Sequence, residues 1–156
     1  MDDQEATYEI EHGHDAYTDD ELLEQAQFNA QALLLAAVAA LEGGVDATER
    51  WTQGVADVFL RGWDRDREWR AAEILDALLT NYRSFGAQVI EVDFDAAAPS
   101  AMVAELPDLE LSEALGVPEE KADAIFRIGA HIASALGYVL EWHRSPDTGD
   151  VTLTVS

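Results

Sequence analysis

The chain has 156 residues, of which 32 are Asp or Glu and only nine are Lys or Arg, giving a formal net charge of −23; 48% of its residues are hydrophobic and none is cysteine. So little positive charge argues against nucleic-acid binding, which requires a basic surface to neutralise phosphates. The missing cysteines exclude disulfides, thiolate metal sites and a cysteine nucleophile. A chain of this length and apolar content fits one domain, 1–156, with 1–6 as a flexible end.

The acids are spread along the chain rather than gathered. Segment 2–24 holds ten acids and no Lys or Arg, and segment 91–123 holds ten with Lys121 alone. A face built for one basic partner would concentrate its charge. Dispersed charge instead fits a protein working in concentrated salt, where the Debye length falls to about 3 Å and surface repulsion fades. The expectation is a halophilic, cytoplasmic protein. No basic stretch precedes an apolar run at the N-terminus, so no secretory leader is expected. The longest apolar run, ALLLAAVAAL at 32–41, rises about 15 Å as a helix, half a bilayer, so no membrane association is expected.

Taken in chain order, alternation of Tyr8, Ile10 and His12 with acids predicts a strand over 7–12, followed by a loop at 13–17. Thr18 and Glu21 form a capping box for a helix over 19–42, stopped by Gly43 and Gly44. Its second half is apolar on every side, so it is expected to be buried all round, in the core or across a homodimer interface formed by segment 30–41, bounded by Ala30 and Leu41. Asp46 and Glu49 suggest a second capping box and a helix over 47–61, broken at Gly62-Trp63-Asp64. Asp64 then caps a helix over 65–84 carrying Trp69, Leu75, Leu78, Leu79 and Tyr82, with Gly86 as its left-handed stop.

At 88–95 the period changes to two, with Ile90, Val92 and Phe94 on one face and Glu91 and Asp93 on the other. Segment 106–116 reads as irregular or as one short helix starting near Ser112. Pro118 opens a helix whose stripe is Ala122, Ile125, Phe126, Gly129, Ile132, Ala133 and Leu136, and Gly137 ends it. Strands at 138–144 and 151–156 flank a hairpin turn rich in Ser, Pro, Asp and Gly. The sum is an α+β fold, about four helices packed on a small, mainly antiparallel sheet of three or four strands.

Three groups of residues carry candidate chemistry. His12, His14 and Asp15 bracket a glycine and resemble a short metal-binding string, although a polar loop explains them as well. Segment 50–83 holds six Arg and six acids; it reads as a helix laced by pairs such as Asp57–Arg61 and Asp66–Arg70, or as an anion site in which Arg61, Trp63 and Arg65 meet a ligand. His131 flanks the stripe of the 118–137 helix, while Glu141 and His143 share a strand face. Together they would supply a base and an orienting carboxylate, unless Glu141 and His143 point to solvent because Leu140 and Trp142 point inward. No phosphate loop, dinucleotide fingerprint or nucleophile elbow is present, and no cofactor is expected.

From Leu33 onward the order is an Ala-rich helix, GGVDATE, a long helix, the strand QVIEVDF, a Pro-containing connection, LGVPEEKADAIFRIGAHIASALG and the hairpin YVLEWHRSPDTGDVTLTVS. This order resembles the aminothiazoline carboxylate hydrolase-like family and, more remotely, the 4-vinyl reductase-like ligand-binding domains. The resemblance implies an α+β fold with a pocket between helices and sheet. Members of those families carry cysteines in the second half and this chain has none, so no catalytic residue is carried over. Three readings follow: a non-catalytic small-molecule-binding or sensor-like domain, a hydrolase-like enzyme using His131, Glu141 or His143, and an adaptor in a larger complex.

Overall fold

In a computed structural model describing residues 18–156, Thr18 caps the first helix as its sequence predicts. Its hydroxyl accepts the Glu21 N–H at 3.3 Å, and the Glu21 carboxylate accepts the Thr18 N–H at 2.7 Å. These bonds, the backbone one above all, hold the Glu21 carboxyl below its ordinary range. The strand expected over 7–12 and the end at 1–6 lie outside the described residues.

Helix α1 (Asp19–Ala39) departs from the expectation of all-round burial. Only Gln31, Leu35 and Val38 are buried, while Leu33 is 72% exposed and Leu22, Leu23 and Phe28 are half exposed. The physical reason is position. The helix packs one side on neighbouring helices, and no other described residue covers the far side. An apolar pattern without a polar face carries no instruction about which side turns inward.

Helix α2 (Gly44–Phe59) starts earlier than its expected capping box. Gly43 occupies the N-cap with φ 104° and no side chain caps the helix, so Asp46 lies in the first turn, near the positive end of the helix dipole. A 3₁₀ turn, Leu60–Gly62, follows. Helix α3 (Ala71–Ser84) begins later than predicted, because 63–70 is a loop. Asp64 does not cap the helix; its carboxylate accepts the Asp66 N–H at 3.1 Å in a tight turn. The Glu73 carboxylate reaches back instead, accepting the Arg70 N–H at 3.0 Å. Gly86, at φ 92°, ends the helix as expected.

Strand β1 (Gln88–Asp93) carries an irregularity between Val89 and Glu91. The extra residue shifts the alternation, so Val89 and Val92 face the core whereas Ile90, expected inside, is exposed; Phe94, also expected inside, lies past the end of the strand and is exposed. Strand β2 (Ser100–Ala104) was not anticipated, since its five residues follow a proline and alternate only weakly. Helix α4 (Leu109–Ala114) is capped by Asp108, whose carboxylate accepts the Leu111 N–H. The predicted 118–137 helix divides at Asp123 into α5 (Glu119–Ala122) and α6 (Ala124–Ala135). Strands β3 (Leu140–Arg144) and β4 (Val151–Val155) close the chain.

The four strands form an antiparallel sheet in the order β1-β2-β4-β3. With its helices it makes the α+β architecture that the sequence predicts. Helices α3 and α6 pack against one sheet face, α2 lies on α6, and α1 lies on α3 and α5. The register places Glu91, Met102, Thr152 and His143 in one row on the opposite face, and Asp93, Ser100, Thr154 and Glu141 in the next. That face is polar, as an antiparallel sheet with one wet side requires. No described helix is long and apolar enough to cross a membrane.

The main core gathers Leu78, Tyr82, Phe126, Ile128, Ile132, Leu140 and Leu153. Tyr82 meets Phe126 edge-on, ring centroids 5.5 Å apart at 80°, a favoured aromatic geometry. Gly129 makes this possible, since a Cβ there would stand 2.1 Å from the Tyr82 hydroxyl. That hydroxyl is fully buried and has no hydrogen-bond partner among the described residues, and burial pushes its pKa up.

Candidate functional site

The loop left between α2 and α3 builds one wall of a cleft that holds two tryptophans. Glycine at 62 and the extended backbone of Trp63 (φ −103°, ψ 136°) turn the chain out of α2. The loop then folds on itself. The Trp69 indole N–H donates to the Asp64 carbonyl at 2.7 Å, and the Tyr138 hydroxyl donates to the Trp69 carbonyl at 2.6 Å. Trp63 and Trp69 meet with centroids 4.9 Å apart and planes tilted by 57°. The Arg67 guanidinium lies 4.2 Å above the Trp69 ring and pairs with Glu73 at 2.5 Å. Hydrogen bonds from the Arg70 backbone and side chain, with the nearby guanidinium charges, hold the Glu73 carboxyl below its ordinary range.

Phe59, Gly62, Trp63 and Trp69 form one wall of this cleft. Asp76, Ala77, Leu78, Thr80 and Asn81 of α3 form the other, and Ile132 of α6 completes it. Its volume is about 530 Å³, within the range of small-molecule sites. Chemically it is an apolar, largely aromatic slot edged by one carboxylate, one hydroxyl and one amide.

The expected site residues scatter. Trp63 lines the aromatic cleft. Arg61 and Arg65 line an adjoining shallow cleft of about 400 Å³ that shares Trp63 and includes Asp57, Asp64 and Asp66. Neither expected pair, Asp57–Arg61 or Asp66–Arg70, forms among the described residues: α2 ends between the first two, and the second two lie in or beside the loop. The ion pairs of this region converge on Glu73 instead.

His131 does not meet Glu141 or His143. Its Nε2 stands 3.0 Å from a Glu49 carboxylate oxygen and 3.4 Å from the Thr52 hydroxyl, between α6 and α2. Glu141 and His143 are exposed on the opposite, wet face of the sheet. The base and orienting carboxylate imagined from the sequence are therefore not assembled from these three residues; the packed body between the two faces separates them. His12, His14 and Asp15 lie outside the described residues, and no group of three potential metal ligands gathers among the described ones.

A smaller cleft of about 120 Å³ opens beside the start of α2, lined by Gly44, Val45, Thr48, Glu49, Glu120, Lys121 and Arg127. Its charges balance, and the Lys121 ammonium already donates to the Leu41 carbonyl at 3.0 Å. Elsewhere Asp123 accepts from the Trp142 indole at 3.2 Å and pairs with Arg144 at 2.5 Å, tying β3 to the α5–α6 junction.

Sequence reasoning missed Phe59, Trp69, Asp76 and Asn81 as cleft residues. Trp69 fitted a helical stripe, which hid it. The signal was its setting: two tryptophans six residues apart in a run of alternating Arg and Asp, with a glycine before them. Comparison of the chain with protein-family models, with curated proteins and with solved structures yields no match.

Proposed function

We propose that this chain is a non-catalytic small-molecule-binding or sensor-like domain whose ligand occupies the Trp63–Trp69 cleft. The observation that supports this is the cleft itself: about 530 Å³, walled by three aromatic side chains, and lined by none of His131, Glu141 or His143. Small-molecule sites are largely apolar, with a few convergent polar groups that orient the ligand. The cleft lies among helices, so the reading rests on its composition and not on the resemblance to the hydrolase-like families. The dispersed acidic charge supports a high-salt cytoplasm as its setting.

Protein isolated in 2 M KCl and examined by native mass spectrometry is expected to carry a small molecule that Trp63→Ala loses while keeping its circular dichroism. Retention of the same molecule by Trp63→Ala would place binding elsewhere. The enzyme reading is tested by His131→Gln and His143→Gln. Turnover of amide or thiazoline substrates by the parent, lost in either folded variant, would replace the binding reading.

One observation favours self-association as well. From Gln25 to Leu41 α1 and its C-cap region carry no charged residue, and within 30–41 Leu33 is 72% exposed. A second copy of the same uncharged helix, related by a two-fold axis, would cover this face without burying a charge. Sedimentation velocity at molar salt reads it directly, and a monomer at 100 μM would exclude it.

A further inference from the structure

We infer that the ligand of the aromatic cleft is a planar aromatic cation; this rests on the reading of that cleft as the ligand site. The shape argument comes first. Trp63, Trp69 and Phe59 line the space, and a flat ring packs on such side chains with offset or edge-on geometry. The charge argument is independent of it. Asp76 is the sole ionisable residue lining the cleft, it is exposed at the rim, and no described cation lies within ion-pair distance of it.

The surrounding cations do not cancel that carboxylate. Arg67 is held on Trp69 and tied to Glu73. Arg61 and Arg65 face the adjoining cleft, where Asp57, Asp64 and Asp66 outnumber them. The Arg67 guanidinium takes one face of Trp69 at 4.2 Å, so a ligand cation would meet Trp63, Phe59 and the remaining surface of Trp69. Thr80 and Asn81, on the same wall as Asp76, supply neutral polar groups for an attached amine or ring nitrogen. An anionic ring would meet Asp76 without a compensating base.

Three bicyclic probes of similar shape separate the possibilities by titration calorimetry at pH 7.5 in 0.5 M and 2 M KCl: N-methylquinolinium, neutral quinoline and 1-naphthoate. The cation is expected to bind at least tenfold more tightly than quinoline, and 1-naphthoate not measurably. Asp76→Asn is expected to bring the cation to within about threefold of quinoline while leaving quinoline unchanged. Trp69→Leu is expected to weaken both. Equal affinities for the three probes, or preference for 1-naphthoate, would overturn the cationic class while leaving the cleft as a binding site. Cation binding unaffected by both Trp69→Leu and Trp63→Ala would overturn the cleft itself. No binding of any probe, in a parent protein that carries its own ligand in the cleft, would overturn the planar-cation class alone.

Discussion

Helices α1 and α6 are the two most apolar helices of the molecule, and they meet opposite fates. Helix α6 lies between α2 and the sheet, and Ile125, Phe126, Ile128, Gly129, Ile132 and Ala133 are all buried. Helix α1 lies in the outermost layer and leaves Leu33 almost as accessible as in an unfolded chain. The difference teaches that apolar content demands a cover without saying what supplies it. For α6 the chain supplies its own cover, because elements before and after it in sequence close on both sides. For α1 three residues in one line along the helix, Gln31, Leu35 and Val38, are buried, and no described residue covers the opposite side.

The largest effect that probes this contrast is expected inside α1 itself. Leu35 is 1% exposed, so Leu35→Ala is expected to cost about 2–5 kcal/mol in denaturant unfolding. Leu33→Ala, two residues away, is expected to change monomer stability by no more than about 0.5 kcal/mol. Equal costs would mean that α1 is covered on both sides. In α6, Gly129→Ala is expected to destabilise by about 1–3 kcal/mol despite better helix propensity, because the new Cβ collides with the Tyr82 hydroxyl and sits 3.0 Å from Leu140. Adding Tyr82→Phe should recover part of that loss.

Raising KCl from 0.1 M to 2 M is expected to lift the melting temperature by at least about 5 °C, the shift that roughly 2 kcal/mol produces in a chain of this size. Equal melting temperatures would remove the halophilic reading. Tyr82→Phe alone is expected to change stability by under about 1 kcal/mol near neutrality, since the hydroxyl it removes has no partner among the described residues. Its signature is in alkali. Burial raises the phenol's pKa in the folded state, so above about pH 10 the unfolded chain releases a proton that the folded chain keeps. Stability therefore falls as pH rises, and Tyr82→Phe should flatten that decline. An unchanged alkaline slope would mean that Tyr82 is not buried beneath α6.

The α6 side of the contrast was legible because its apolar residues recur at helical spacing and Gly137 is a local stop, although the break at Asp123 that separates α6 from α5 was not. The closing hairpin was legible for the same reason, since Leu140, Trp142, Val151 and Leu153 alternate around a turn. Three features were not legible. The bulge in β1 depends on how β1 registers against β2, a property of two strands that neither carries alone. The outward face of α1 follows from layer order. The cleft depends on 63–70 being a loop. That loop is held by the Tyr138 hydroxyl on the Trp69 carbonyl, a bond spanning 69 residues that no local pattern announces, together with the local Trp69–Asp64 and Asp66–Asp64 bonds. Of the candidate site residues, only Trp63 reached the cleft. The others were chosen for chemistry, and this site is built from shape.

Gln31 gives α1 a different significance in time. Its buried amide donates to the carbonyls of Phe85 and Glu105 and accepts the Asp108 N–H, spanning 54, 74 and 77 residues of sequence. One of those partners, Glu105, holds a left-handed backbone conformation at φ 60° and is itself braced by Gln88 at 2.8 Å. As a hypothesis, α1 can find its rotation about its own axis only after α3, β1 and β2 have delivered these three groups to one place. Closing such long loops is slow, and it rewards nothing until the last contact forms. The first helix among the described residues would thus be the last to lock, and amide hydrogen exchange during refolding would show α1 gaining protection after α3 and β2. Simultaneous protection would show that the leucines, and not the glutamine, set its docking.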